Sequence, residues 1–82
     1  MQREIEKELQ EKLNPEFLEV TNNSHLHQGH LGDDGSGNTH FLIRISSQNF
    51  KSQSRIQIHR QINKILESFF EKGLHALEIK VL

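Results

Sequence analysis

Histidine is the one chemically versatile residue that this chain concentrates. Of six histidines, His25, His27, His30 and His40 fall between Ser24 and Phe41, together with four of the five glycines. Neutral imidazole is the commonest protein ligand for transition metals and titrates near pH ~6.5. Several imidazoles carried on a glycine-rich segment therefore read as a binding site built on a loop. A second donor lies outside the loop: His59, in Ser54-Arg55-Ile56-Gln57-Ile58-His59-Arg60. The expectation is a metal or iron–sulfur site shared between His59 and a loop histidine.

Elements must hold these residues in place, and the chain offers five. Ile5, Leu9 and Leu13 recur every four residues among Glu4, Glu6, Glu8 and Glu11, which predicts an amphipathic helix over Gln2 to Leu13. Asn14-Pro15 ends it, because proline disfavours helical geometry in the residue before it. Phe17 to Thr21 alternates Leu18 and Val20 with Glu19 and Thr21 and reads as a strand. The histidine-rich loop runs on to about Asn38, longer than a tight turn needs. Thr39 to Ser46 is the clearest strand, with Phe41, Ile43 and Ile45 alternating with His40, Leu42 and Arg44. Two neighbouring strands joined by a loop most simply pair antiparallel.

Phe50 interrupts a polar connection and should plug into the core. Ser54 and Gln57 then have the spacing of a capping box, so a helix begins there. Its stripe is Ile58, Ile62, Ile65, Leu66 and Phe69, and Gly73 stops it. At about 100° per residue, His59 falls roughly 60° from Ile62, on the border between core and solvent. Arg60 and Lys64 point outward. His75 to Leu82 alternates again, with Leu77, Ile79 and Val81 inward, and reads as a third strand. His40 and His75 each begin a strand, where a ring can bond neighbouring main chain, and both read as structural.

Helix, strand, strand, helix, strand is an α+β order, with the helices packed on one face of a three-stranded sheet. A chain of 82 residues makes a single domain, residues 1–82, and buries only about 60% of its unfolded surface. No apolar run approaches the roughly 20 residues that span a bilayer, and the charged N-terminus is unlike a signal peptide, so a cytoplasmic protein is expected. The absence of cysteine excludes disulfides and thiolate catalysis, and any sulfur ligand must come from another molecule. Gly35-Ser36-Gly37 is not a nucleophile elbow, and Asp33-Asp34 lacks the spacing of a calcium loop, so an enzyme is not expected.

Net charge is -1, yet Gly35 to Leu66 has no acidic residue and carries Arg44, Lys51, Arg55, Arg60 and Lys64. That window would attract an anionic partner. Lys51, Arg55, Arg60 and Lys64 form the alternative, nucleic-acid-binding reading. Without Tyr or Trp for stacking, such binding would be weak and salt-sensitive.

Taken together, Leu18-Glu19-Val20, Asn23-Ser24, His27, Gly37-Asn38-Thr39-His40-Phe41, Phe50, Ser54, His59-Arg60, Ile62-Asn63 and His75-Ala76-Leu77 resemble the BolA family over nearly the whole chain. The resemblance implies a fold similar to the class II KH domain. It also implies an adaptor that pairs with a monothiol glutaredoxin and shares a 2Fe–2S cluster with it and with glutathione, the apo protein being a monomer. Some bacterial members are described as DNA-binding transcriptional regulators, which makes DNA the alternative partner. Carried over by position, the helix ligand would be His59 and the loop ligand His27, with His30 also in reach. Two departures stand out: Ile58-His59-Arg60 where the family has Arg-His-Arg, and Ser52 where it has glycine. Losing one arginine weakens the case for phosphate contact. A Gly-x-x-Gly loop of the KH type lies between two helices; here Gly29-His30-Leu31-Gly32 and Gly32-Asp33-Asp34-Gly35 lie between strands.

Overall fold

The structure is a computed structural model, and it describes residues 1–27 and 37–82. Helix α1 spans Gln2–Leu13 and buries Ile5, Leu9 and Leu13. It closes on Asn14, which takes a left-handed conformation (φ 43°) and returns its N–H to the Gln10 carbonyl at 3.0 Å. Asparagine adopts that conformation more readily than most residues, and Pro15 then blocks any continuation.

Strand β1 (Phe17–Asn22) pairs antiparallel with β2 (His40–Ser46), as expected for neighbours joined by a loop. Strand β3 (Ala76–Val81) pairs with β2 in parallel, giving a mixed sheet of order β1-β2-β3. Parallel pairing requires a long crossover. Helices α2 (Arg55–Ile65) and α3 (Glu67–Glu71) supply it.

Register divides the sheet into two sets of rows. Val20–Ile43–Ile79 and Leu18–Ile45–Val81 run across the inner face, while Glu19–Arg44–Lys80 and Thr21–Leu42–Glu78 run across the other. Ile5, Leu9, Ile43, Ile45, Ile62 and Leu66 are completely inaccessible to solvent, so α1 and α2 close the inner face in one core cluster. Phe50 is buried with them, as its isolation in a polar stretch predicted. Leu77, Ile79 and Val81 are only partly buried, because β3 is an edge strand.

The α2 capping box is present in full: the Gln57 N–H donates to Ser54 Oγ at 3.2 Å, and the Ser54 N–H donates to Gln57 Oε1 at 2.9 Å. The single helix expected up to Gly73 is instead broken at Leu66, whose φ of -96° and ψ of 13° leave the helical region. No glycine or proline dictates this break. Leu66, Phe69 and Leu74 all enter the core around it, so packing takes precedence over helical continuity. Gly73, at φ 119°, then turns the chain into β3.

Candidate metal centre

The sheet has two chemically different ends. At the first, where β2 and β3 begin, a single hydroxyl organises the backbone. Asn22, the last residue of β1, bends the chain by accepting the Ser24 N–H on its side-chain oxygen at 3.0 Å. Its amide nitrogen donates to the Gly37 carbonyl at 2.8 Å, tying together the two described ends of the loop. Gly37 sits at φ 76°, where a side chain is strained although open space surrounds it. A 3-10 turn over Ser24–His27 follows β1. From it the buried Ser24 Oγ accepts the N–H groups of Thr39 (2.9 Å) and His40 (3.0 Å) and donates to the His40 carbonyl at 3.4 Å.

Histidines gather at this end. His40 is 7% exposed, with Nδ1 at 2.7 Å from Thr39 Oγ1. Its structural role therefore stands, although the partner identified is a neighbouring hydroxyl rather than main chain. His75 is exposed, and its ring lies 5.5 Å from that of His40 at a 53° tilt. Its N–H and that of Ala76 both donate to the Thr39 carbonyl. His25 is exposed on the 3-10 turn, which His27 closes. His30 lies outside the described residues, as do Asp33, Asp34 and both Gly-x-x-Gly stretches.

His59 is at the other end. It is half-buried on the border of α2, as its helical phase predicted. It lines a groove with Arg55, Ile79, Lys80, Val81 and Leu82, where β3 finishes and the Leu82 N–H meets the Ile45 carbonyl. His27, by contrast, closes a turn fastened through Ser24 to Thr39 and His40, opposite Ala76. The structure thus places His59 in the groove where β3 finishes and fastens the turn that carries His27 where β2 and β3 begin. It sets His75 at the level of that turn.

The neighbours of His75 are not legible in the sequence for a definite reason. Its place beside Thr39 follows only from the parallel register of β3 on β2, and nothing local to His75-Ala76-Leu77 announces which strand β3 joins or in which direction. Among the described residues, no three His, Cys, Asp or Glu side chains converge as a metal-binding set. An imidazole pair offers half of a four-ligand set and needs donors from elsewhere. The alternative nucleic-acid residues Lys51, Arg55, Arg60 and Lys64 are all exposed. Lys51 follows β2 and the other three belong to α2, so they lie along the helix layer rather than at the histidine end.

The class so defined is an α+β domain of αββααβ order, with a mixed sheet, helices on its inner face and a histidine-bearing end. Residues 9–82 match the family model described as BolA-like protein, and the chain belongs to the BolA family. An uncharacterised Sinorhizobium protein, from the cobS 5' region, is 48% identical over 77 residues, covering 93% of this chain and 83% of that protein. The Haemophilus influenzae protein named DNA-binding transcriptional regulator BolA is 33% identical, covering 96% of this chain and 73% of its own. Among solved structures, the BolA domain of SufE1 from Arabidopsis thaliana superimposes with a TM-score of 0.88 at 38% identity, covering 98% of this chain and 87% of that one.

Proposed function

We propose that this BolA-family protein is a non-catalytic adaptor that co-ligates a 2Fe–2S cluster with a monothiol glutaredoxin and glutathione in the cytoplasm, serving iron–sulfur trafficking or iron sensing. The observation that carries the reading is the exposed His75 ring beside the buried His40, at the end of the sheet where the histidine-rich loop departs. His75 supplies one nitrogen, and a loop imidazole, His27 or His30, supplies the other. His40, bonded to Thr39, positions the His75 ring instead of ligating. With no cysteine in the chain, both thiolates come from the partner side, giving a mixed His/Cys set of the kind in which imidazole raises the reduction potential. His59 has no place in this set.

The test mixes the purified protein with cluster-loaded monothiol glutaredoxin and glutathione, followed by visible absorption and circular dichroism. His75→Ala loses the mixed-ligand spectrum while His59→Ala keeps it. A His75→Ala spectrum identical to wild type overturns the assignment. Because imidazole must be neutral to ligate, the signature fades on acidification.

A second reading is favoured by the relative named as a DNA-binding regulator and by the exposed Lys51, Arg55, Arg60 and Lys64. Duplex binding through that face weakens linearly in log–log salt titration. No complex at low salt removes it.

A further inference from the structure

The outer edge of β3 is used by neither reading. The N–H groups of Ala76 and Leu82 donate across to β2, at the Thr39 and Ile45 carbonyls respectively. Alternation along a strand then turns the N–H and C=O groups of Leu77, Ile79 and Val81 away from β2. Among the described residues no strand pairs with that side. An unpaired edge is a template for another chain unless something blunts it. The residues whose main chain turns outward are Leu77, Ile79 and Val81, alternating with the charged Glu78 and Lys80, and no proline or bulge is described between Ala76 and Val81.

What the edge accepts is written in the rows that end on it. On the inner face, Val20–Ile43 and Leu18–Ile45 end in Ile79 and Val81, whose side chains are only partly covered. They open into a groove of about 360 Å³ bounded by Arg55 and His59 of α2. On the other face, the row runs acid, cation, cation: Arg44 is satisfied by Glu19 at 2.9 Å, and Lys80 stands next to it. Like charges directly opposite on neighbouring strands are destabilising. Among the described residues Lys80, Arg55 and His59 have no acidic partner.

We propose that residues 79–81 of β3 take an added strand from a partner protein: an extended segment of apolar–acidic–apolar pattern. Its main chain completes the ladder at Ile79 and Val81. Its two apolar side chains enter the groove beside Arg55 and His59, and its carboxylate lies opposite Lys80, giving that cation an acidic neighbour. Strand addition takes affinity from main-chain bonds and specificity from alternate side-chain pockets, and both are present here. A nucleic acid fits this surface less well, since the groove is lined by Ile79, Val81 and Leu82 and holds no Phe, Tyr or Trp for a base.

The experiment titrates the full chain with two fluorescein-labelled peptides, Ser-Thr-Val-Glu-Val-Thr-Ser and its lysine-centred counterpart, read by anisotropy and by amide NMR. The acidic peptide saturates, and the amides of Leu77, Ile79 and Val81 shift and gain exchange protection. Lys80→Glu weakens the acidic peptide roughly tenfold and reverses the preference between the peptides. Ile79→Pro removes an N–H on the outward side only and abolishes binding; if that variant does not fold, the Lys80→Glu reversal decides alone. The proposal is overturned by equal binding of both peptides to wild type, by shifts confined to other elements, or by a duplex oligonucleotide outcompeting the peptide at the same amides.

Discussion

The two ends of the sheet use the same residue types to opposite effect. Where β2 and β3 begin, a serine is buried, and its hydroxyl holds two backbone N–H groups that belong to a strand 15 and 16 residues away. Near the other end, Ser54 is exposed and its hydroxyl holds an N–H only three residues along. The histidines follow suit. His75 owes its position to tertiary pairing, whereas His59 owes its position to helical phase. A local motif builds a rigid support, and non-local hydrogen bonds assemble a site.

That contrast predicts a ranking of energies. Ser24→Ala leaves the N–H groups of Thr39 and His40 buried without an acceptor, at roughly 1–3 kcal/mol each. Urea denaturation should show a loss of about 2–6 kcal/mol, and a loss below about 1 kcal/mol breaks the comparison. Ser54→Ala removes an exposed cap, and the same measurement should show about 1 kcal/mol.

Smaller effects sharpen it further. The Arg44–Glu19 pair bridges β2 and β1 with both side chains more than two-fifths exposed, so a double-mutant cycle should give about 0.2–1 kcal/mol, declining with added salt. Smallest is Glu4, whose carboxyl is held below its ordinary range first by the N-terminal ammonium at 3.2 Å and then by its backbone N–H. A lowered carboxyl pKa stabilises the fold above the unfolded-state value, and that contribution disappears as pH falls through the folded one. Glu4→Gln should thus leave the melting temperature nearly unchanged at pH 3 and shift it slightly at pH 7. A larger shift at acid pH breaks the assignment.

Much of the scaffold was legible because its signals are local. The four-residue spacing of Ile5, Leu9 and Leu13, the strand alternation through Phe41, Ile43 and Ile45, and the Ser54–Gln57 capping box each lie within one turn or one strand, and each appears where expected. The half-buried setting of His59 was legible too, since helical phase fixes it. The break at Leu66 was not, because it answers to the volume available beneath the sheet.

By itself, the sequence determined the order of elements, the face each one buries and the lack of any thiolate. Periodicity and residue type carry that information within a few residues. Only the tertiary structure decided which histidines are neighbours. A parallel register is set by a crossover of some thirty residues between β2 and β3, and no local pattern in the sequence records where such a crossover returns. Thr39 therefore meets His75 and Ala76, and Ile45 meets Leu82 beside the groove that His59 lines.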